Sequence, residues 1–235
     1  MKAFDYEWMV GRPWGLAHPD HNCYADANMV EVRHGNLLMG IECKPRTFYD
    51  KSYPWGVGFV TSHETFKYGI FEWQFVLPLG RHLWPALWLS DADTWPPEID
   101  VLEGWSGYGL WPLKNRPDYL RLPWCQYIHP GLVHPNGQLS KGYGSCGDKG
   151  VWRCQIDVQS INSCRLVWTP DRIMVEYNGH VVMDETKPEV LKAYNESRGM
   201  RVIMNNYVEK DFTYDDYASL VRKDFAVTEF KYQAL

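Results

Sequence analysis

The sequence predicts an all-β fold in which two antiparallel sheets pack face to face as a sandwich. Apolar and polar residues alternate along several short segments, as they do in strands that bury one face. Turn-forming residues separate these segments at short intervals. A helical pattern is confined to residues 189–194, directly after Pro188. Many short strands with little helix are typical of sandwich folds.

The strands are predicted in chain order from their patterns and their turns. His34-Gly35-Asn36 closes one hairpin, and Thr169-Pro170-Asp171 closes another. Asn178-Gly179 closes a third with a dipeptide that favours a type I′ turn. The predicted strands are 29–33, 37–44, 71–77, 83–89, 98–103, 166–168, 172–177, 181–183, 200–205 and 226–232.

Length and composition indicate a single domain over residues 1–235. All-β sandwiches of this size are common as one unit, and the 45% of hydrophobic residues suffices for one core. We find no repeat, low-complexity tract or charged linker that would divide the chain. Segment 104–123 is rich in Gly, Pro and Trp, and we expect a long loop there.

Charge and hydropathy exclude two classes of partner. The net charge is −5 and the Lys and Arg residues are scattered, which argues against nucleic acid, because that partner needs a basic patch. No segment approaches the roughly 18 apolar residues of a membrane span. We expect a monomer that binds neither nucleic acid nor membrane.

The aromatic residues point to a ligand with flat faces. The chain has 12 Trp and 15 Tyr, which is more than core packing should need, because a buried indole N–H must find a partner. Surplus Trp can serve as platforms on which sugar rings stack.

The number and spacing of the cysteines indicate the compartment in which the protein is located. No pair has C-x-x-C spacing, which disfavours a zinc site. An even number fits export with up to three disulfides, although buried free thiols are the alternative. We expect an extracellular or periplasmic protein, and no signal-peptide pattern is present in this sequence. The six cysteines are Cys23, Cys43, Cys125, Cys146, Cys154 and Cys164.

Three carboxylates lie within six residues of one predicted strand. Because strand side chains alternate, Glu98 and Asp100 share one face, whereas Glu103 would enter the core. Burying an unpaired carboxylate costs several kcal/mol. A β-bulge between Asp100 and Glu103 would return Glu103 to the face of the other two acids, so the spacing predicts such a bulge.

Clustered carboxylates suggest acid–base chemistry. Two of them about 5–5.5 Å apart suit a retaining glycosidase, and like charges at that distance require at least one to keep a proton. This would give one ionised nucleophile and one protonated acid, with Asp100 between them. A solvated polar face and a calcium site are the alternatives.

Tryptophans surround these acids. Trp84 and Trp88 share a face of the preceding strand, while Trp95 and Trp105 flank the carboxylate segment. Acids bordered by indoles are typical of a sugar cleft, although any one of these rings could pack in the core instead.

The run Trp84-Pro85-Ala86-Leu87-Trp88-Leu89 followed by Glu98-Ile99-Asp100-Val101-Leu102-Glu103 resembles glycoside hydrolase family 16, in its longer Glu-x-Asp-x-x-Glu form. Tyr68-Gly69-Ile70-Phe71-Glu72, Trp168-Thr169-Pro170-Asp171 and Ile203-Met204-Asn205 are similar to further strands of that family. The bulged form is similar to laminarinases and galactanases rather than to lichenases.

The resemblance implies a β-jelly-roll with a concave cleft and a double displacement that retains anomeric configuration. By motif position it implies Glu98 as nucleophile, Glu103 as general acid/base and Asp100 as their helper. It also implies substrate binding by Trp84, Trp88, Trp105, Asn205 and His134, with His129 as the second choice of histidine.

Two strands depart from the family pattern, at Ile161-Asn162-Ser163-Cys164 and at Val227-Thr228-Glu229-Phe230. The frequent calcium site of the family is therefore not assumed. We expect no required cofactor, a structural calcium remains possible, and its ligands are unknown.

The sequence thus predicts an endo-acting retaining hydrolase of a β-linked polysaccharide: a β-1,3- or β-1,3/1,4-glucan, or a β-1,4-linked galactan of agar or carrageenan type. A transglycosylase and a non-catalytic glycan-binding module are the alternatives. A sulfated substrate would call for basic residues in the cleft. Candidates near the site in sequence are Arg81, Lys114, Arg116 and Arg121.

Overall fold

The structure is a computed structural model of the chain. It describes residues 1–18, 20–105, 127–134, 136, 139–141, 156 and 159–235, with the backbone alone for 105, 127–129 and 139–141. Within this described part, no helix is long and apolar enough to cross a membrane.

The described residues form mostly short strands and two helices. The strands are β1 (Lys2–Ala3), β2 (Tyr6–Val10), β3 (Ala17–His18), β4 (Cys23–Ala25), β5 (Val30–Arg33), β6 (Asn36–Met39), β7 (Ile41–Phe48), β8 (Lys51–Val57), β9 (Phe59–Ser62), β10 (Gly69–Val76), β11 (Leu83–Asp91), β12 (Glu98–Trp105), β13 (Tyr127–Val133), β14 (Leu139–Lys141), β15 (Asn162–Thr169), β16 (Arg172–Tyr177), β17 (His180–Glu185), β18 (Met200–Val208) and β19 (Phe225–Gln233). The helices are α1 (Pro188–Glu196) and α2 (Tyr214–Ala218).

Two large antiparallel sheets form the predicted sandwich. One has the strand order β1-β2-β9-β18-β11-β12-β13-β14, and the other has β17-β16-β15-β10-β19-β6-β5. A third sheet, β3-β4-β8-β7, was not predicted, and its β4–β8 pair is parallel. The fold class is confirmed, with this small sheet as an addition.

The main core lies between the two large sheets. Alternation along β10 points Phe71, Trp73 and Phe75 inward, where all three are buried, and Trp8 and Trp168 are among the other buried rings of this core. A second apolar cluster joins the four-stranded sheet to β11 and β18. This second cluster braces one end of the cleft described below, because Trp84 and Trp88 pack against it.

Two predicted elements differ from those observed. The return strand predicted over 37–44 divides at Gly40 into β6 and β7, which belong to different sheets. A side chain at the neighbouring Gly58 would collide with the backbone of Met39 at 2.6 Å, so the chain can pass close here only with glycine. The helix predicted over 189–194 extends over Pro188–Glu196.

Candidate active site

Strand β12 contains the bulge that the acid spacing predicts. Towards β13, Asp100 pairs with Gly131 and Glu103 pairs with His129, so two residues of β12 lie opposite one residue of its neighbour. The extra residue shifts the alternation of side chains by one place after Asp100. Glu103 therefore shares the face of Glu98 and Asp100, and the prediction is confirmed.

The bulge buries two consecutive apolar side chains. On the other edge of β12, Leu87 pairs with Leu102 and Trp88 pairs with Asp100, which leaves Val101 as the inserted residue. Val101 and Leu102 are both fully buried. Packing of both side chains into the core offsets the loss of regular ladder hydrogen bonds at the bulge. The same bulge therefore buries these apolar side chains and turns the carboxylate of Glu103 toward the other two acids.

The opposite sheet holds the bulge in place. A bulge leaves backbone groups without a ladder partner, and a buried carbonyl needs a donor. The hydroxyl of Tyr177, on β16, donates to the carbonyl oxygen of Val101 at 2.7 Å. Tyr177 is fully buried, so this hydrogen bond crosses the core of the sandwich and fixes the bulge from behind.

The three acids line one cavity of about 400 Å³. Two parts of the chain build it: β11, β12 and β18 supply its floor, and the segment after β2 supplies one side. Its lining consists of Arg12, Trp14, His18, Trp84, Ala86, Trp88, Trp95, Glu98, Asp100, Glu103, Asn205 and Tyr207.

An indole N–H serves each of the two outer acids. Trp84 donates from Nε1 to Oε1 of Glu103 at 2.9 Å, and Trp95 donates from Nε1 to Oε2 of Glu98 at 3.0 Å. A hydrogen bond from an indole fixes the orientation of the carboxyl group that accepts it. Both acids are thus oriented before any substrate binds.

Asp100 holds a proton between the two glutamates. Burial raises the pKa of Asp100 well above its usual range, and the charges of Glu98 and Glu103 raise it further. Burial also raises the pKa of Glu98, although hydrogen bonds from Trp95 and from Asp100 oppose that shift. Protonated Asp100 is therefore the donor to Glu98, which keeps Glu98 available as a carboxylate.

Asn205 organises the floor of the cavity. Its Oδ1 accepts a hydrogen bond from Nε1 of Trp88 at 2.8 Å, and its Nδ2 donates to the carbonyl oxygen of Trp84 at 3.4 Å. Asn205 pairs with Ala86, and Ala86 pairs with Glu103, so these residues form one row across three strands. The small side chain of Ala86 leaves room above this row.

The predicted substrate-binding residues divide into two groups. Trp84, Trp88 and Asn205 line the cavity with the three acids. His134 does not belong to the lining, and its ring packs on Tyr194 with 6.0 Å between centroids. The side chains of Trp105 and His129 lie outside the described part, as do Lys114, Arg116 and Arg121.

Four lining residues were not predicted: Arg12, Trp14, His18 and Tyr207. Three of them lie in a segment without periodicity, so no strand pattern pointed to them. Tyr207 lies beyond the predicted end of its strand at residue 205, because β18 continues to Val208. The one available signal was a Trp and two His close to Arg12 in a Gly- and Pro-rich stretch.

Half of the cysteines are free thiols. Cys23 and Cys164 are buried and Cys43 is partly buried, so three disulfides are excluded and the thiol alternative holds for these residues. The other three cysteines lie outside the described part. Among described residues, no group of three or more His, Cys, Asp or Glu could hold a metal ion, and the calcium site stays untested.

Comparison with known proteins reveals three relatives with partial matches. One is a galactan endo-β-1,3-galactanase of Flammulina velutipes, which is 26% identical over 117 residues, a match that covers 45% of this chain and 46% of the relative. The chain is 36% identical over 93 residues to an endo-1,3-1,4-β-glycanase of Rhizobium meliloti, a match that covers 37% of this chain and 20% of the relative. It is 31% identical over 110 residues to a β-glucanase of Rhodothermus marinus, which covers 43% of this chain and 37% of the relative. The chain thus matches less than half of each relative's length, and no protein-family model matches it.

Solved structures match over nearly the whole chain. A non-specific endo-β-1,3(4)-glucanase of glycoside hydrolase family 16 superposes with a TM-score of 0.67 at 18% identity, over 97% of this chain and 85% of that one. Porphyranase B of Zobellia galactanivorans gives a TM-score of 0.68 at 17% identity, over 97% and 85%. The chain has the fold of these enzymes, and the predicted resemblance to family 16 is confirmed.

Proposed function

We propose that the protein is an endo-acting, retaining glycoside hydrolase that cleaves a β-linked polysaccharide. One observation carries the proposal: a bulged strand turns Glu98, Asp100 and Glu103 into one aromatic-lined cavity, and each glutamate receives an indole hydrogen bond. A nucleophile and an acid on one face of a strand are what a double displacement requires.

In the first step, Glu98 attacks the anomeric carbon of the bound sugar. The glycosidic C–O bond breaks as Glu103 donates its proton to the departing oxygen, and a glycosyl ester forms on Glu98. In the second step, Glu103 takes a proton from water, the water oxygen attacks the anomeric carbon, and the ester bond breaks. Two inversions give net retention of configuration.

Asp100 supports the nucleophile in both steps. Its proton is hydrogen-bonded to Glu98, so part of the negative charge of Glu98 is stabilised while the carboxylate is free. The same bond can follow the carboxylate as it becomes an ester and loses its charge. Asp100 lies in the cavity lining but is only 3% exposed, and its hydrogen bond goes to Glu98, so we assign its action to Glu98 rather than to the sugar.

The substrate class follows from the cleft and from the relatives. Trp84, Trp88 and Trp95 offer indole faces beside the acids, which suits stacking of pyranose rings. The names of the relatives specify a β-glycan, a β-glucan and a galactan as substrates. A β-1,3- or β-1,3/1,4-glucan and a β-linked galactan are therefore the two candidates. Because such polymers are too large to enter a cell, we propose that the enzyme is located outside the cytoplasm. We also propose that it is a monomer.

Hydrolysis is favoured over the two alternatives. The relatives are named as a β-glycanase, a β-glucanase and an endo-β-1,3-galactanase, and all three names are those of hydrolases. A sugar-binding module would have no use for two carboxylates that are each oriented by a separate indole.

The test is a depolymerisation screen over laminarin, lichenan, agarose, carrageenan, porphyran and mucin glycans. The expected result is a shortening of internal chains for one β-linked class. Proton NMR of the first product should show the β-anomer before mutarotation. An α-anomer would contradict the double displacement, and no cleavage of any polymer would contradict the assignment as a hydrolase.

A further inference from the structure

One side of the cavity is built by the segment after β2 together with Tyr207; we call it the basic wall and define it as Arg12, Trp14, His18 and Tyr207. The guanidinium of Arg12 lies 5.4 Å from the ring centre of Trp14 and 6.0 Å from that of Tyr207. Trp14 contacts Trp88, with 5.9 Å between centroids. The basic wall is therefore continuous with the aromatic floor.

Arg12 has a charge that the protein leaves uncompensated. Among described residues, no carboxylate forms an ion pair with it. Nη1 donates to the carbonyl oxygen of Ala17, while Nη2 has no hydrogen bond to any described residue, and Nε is buried without a partner. Ring contacts stabilise such a cation only in part, so it gains most from a ligand that brings an anion.

Unsatisfied polar atoms concentrate in the basic wall. Seven buried side-chain polar atoms lack a partner among the described residues, and three of them are Nε of Arg12, Nδ1 of His18 and the hydroxyl of Tyr207. Buried polar groups normally have partners, so three exceptions within one wall of a cavity need an explanation. Each of the three can donate a hydrogen bond.

The charge of the wall comes from Arg12 alone. Burial, with smaller contributions from the charges of His21 and Arg12, lowers the pKa of His18 to about 4, so His18 is neutral at ordinary pH. Asp20 raises the pKa of both imidazoles but makes no ion pair with Arg12. One cation with neutral donors beside it matches a single anion that has several acceptor oxygens.

We propose that the basic wall is a subsite for a sugar unit with a negatively charged substituent, either a sulfate ester or a carboxylate. The edge of Arg12 formed by Nε and Nη2 binds two oxygens of the anion, and His18 and Tyr207 donate to the others. Trp14, which is 51% exposed, lies over Arg12 and must shift to uncover Nε. This inference rests on the proposed function, because it identifies the substrate of the same cleft.

The test uses pairs of substrates that differ only in charge. One pair is a sulfated galactan and its chemically desulfated form, and the other is a uronate-containing β-glycan and its carboxyl-reduced form. We expect wild-type kcat/KM to be about 10- to 100-fold higher on the charged member of one pair. Arg12→Gln should remove that preference by lowering kcat/KM more on the charged member than on the neutral one. Arg81→Gln, which changes an exposed arginine outside the cavity, is the matched control and should change neither value.

The outcomes separate the subsite from the proposed function. Equal wild-type rates within both pairs, or an equal loss on charged and neutral members in Arg12→Gln, would overturn the subsite. Calorimetric titration with the charged oligosaccharides adds a readout that is independent of catalysis. Binding that disappears in Arg12→Gln, without cleavage of any polymer, would support the subsite and overturn the hydrolase. Arg12→Lys keeps the positive charge but lacks the guanidinium edge that binds two oxygens. If this variant is folded, it should retain part of the preference for the charged substrate.

Discussion

The two sides of the cavity differ in how far the protein completes its own hydrogen bonds. Glu98 and Glu103 each accept a bond from an indole, and Tyr177 satisfies the bulge beneath them. In the basic wall, three buried polar atoms have no partner among the described residues. With the roles proposed above, the reactive groups are oriented in advance, whereas the recognition groups are left for a ligand to complete.

The largest expected effect is on the acid side. Glu98→Gln should lower kcat by about 10,000-fold or more, because the amide cannot form the glycosyl ester. Circular dichroism should show an unchanged fold. Glu98→Ala with added azide is the control, since the small anion can replace the missing nucleophile and give an α-glycosyl azide. Activity of folded Glu98→Gln near the wild-type level would remove Glu98 from its proposed role.

Substitution of Asp100 tests whether the carboxylate side of the cavity lowers the stability of the protein. Its raised pKa means that the folded state keeps a proton which the unfolded chain releases, so Asp100 destabilises the protein as pH rises above 3.8, the ordinary pKa of an aspartate. Asp100→Asn removes this penalty. We expect about 100-fold lower kcat but a free energy of unfolding about 1 kcal/mol higher at pH 7, with little gain at pH 3.

Urea unfolding of Asp100→Asn and wild type at both pH values measures this difference. A stability loss at pH 7 would mean that Asp100 is ionised and well paired in the folded protein, which would contradict its role as the proton donor to Glu98.

Matched substitutions of two buried tyrosines test directly whether the two sides of the cavity differ in their hydrogen bonding. Tyr177→Phe removes a buried hydrogen bond, so we expect a loss of about 1–2 kcal/mol in unfolding free energy and about 10-fold lower kcat with little change in KM. Tyr207→Phe removes a hydroxyl that has no partner, so stability should be unchanged or slightly higher. Equal destabilisation by both changes would show that the two walls do not differ in this way.

The smallest expected effect concerns the indole at Glu98. The hydrogen bond from Trp95 lowers the pKa of Glu98, so Trp95→Phe should move the acidic limb of the kcat/KM profile to higher pH. Trp95 is 65% exposed, which limits the shift through solvent screening. Trp14→Phe is the control, because Trp14 bonds to neither acid, and its acidic limb should stay in place.

The acid side could be predicted from the sequence because its pattern is local. Alternation along one strand places each side chain on a face, and the conflict at Glu103 has one low-cost solution, the bulge. Most large-sheet strands were predicted for the same reason. The short strands β1 to β4 were not, since two to five residues are too few to show a period.

The basic wall depends on tertiary contacts that leave no sequence period. Arg12 reaches the cavity only because β2 pairs with β9 and β9 with β18, which are far apart in the chain. The argument from surplus tryptophan also needs correction. Trp73 and Trp168 are buried in the core although their Nε1 atoms have no partner among described residues. Abundance alone thus could not separate core rings from sugar platforms.

Because Val101 is an inserted residue, the regularity of the strand depends on the number of residues between Asp100 and Glu103. Deletion of one residue between Asp100 and Glu103 would restore a regular ladder and still leave all three carboxylates facing the cleft. Insertion of one more residue would also give the acids a common face in a regular strand, but it would place the last glutamate about 13 Å along the strand from Asp100 instead of about 7 Å. Only the shorter strand therefore keeps the acids close together, and the apolar interior, which loses one buried side chain, absorbs the change.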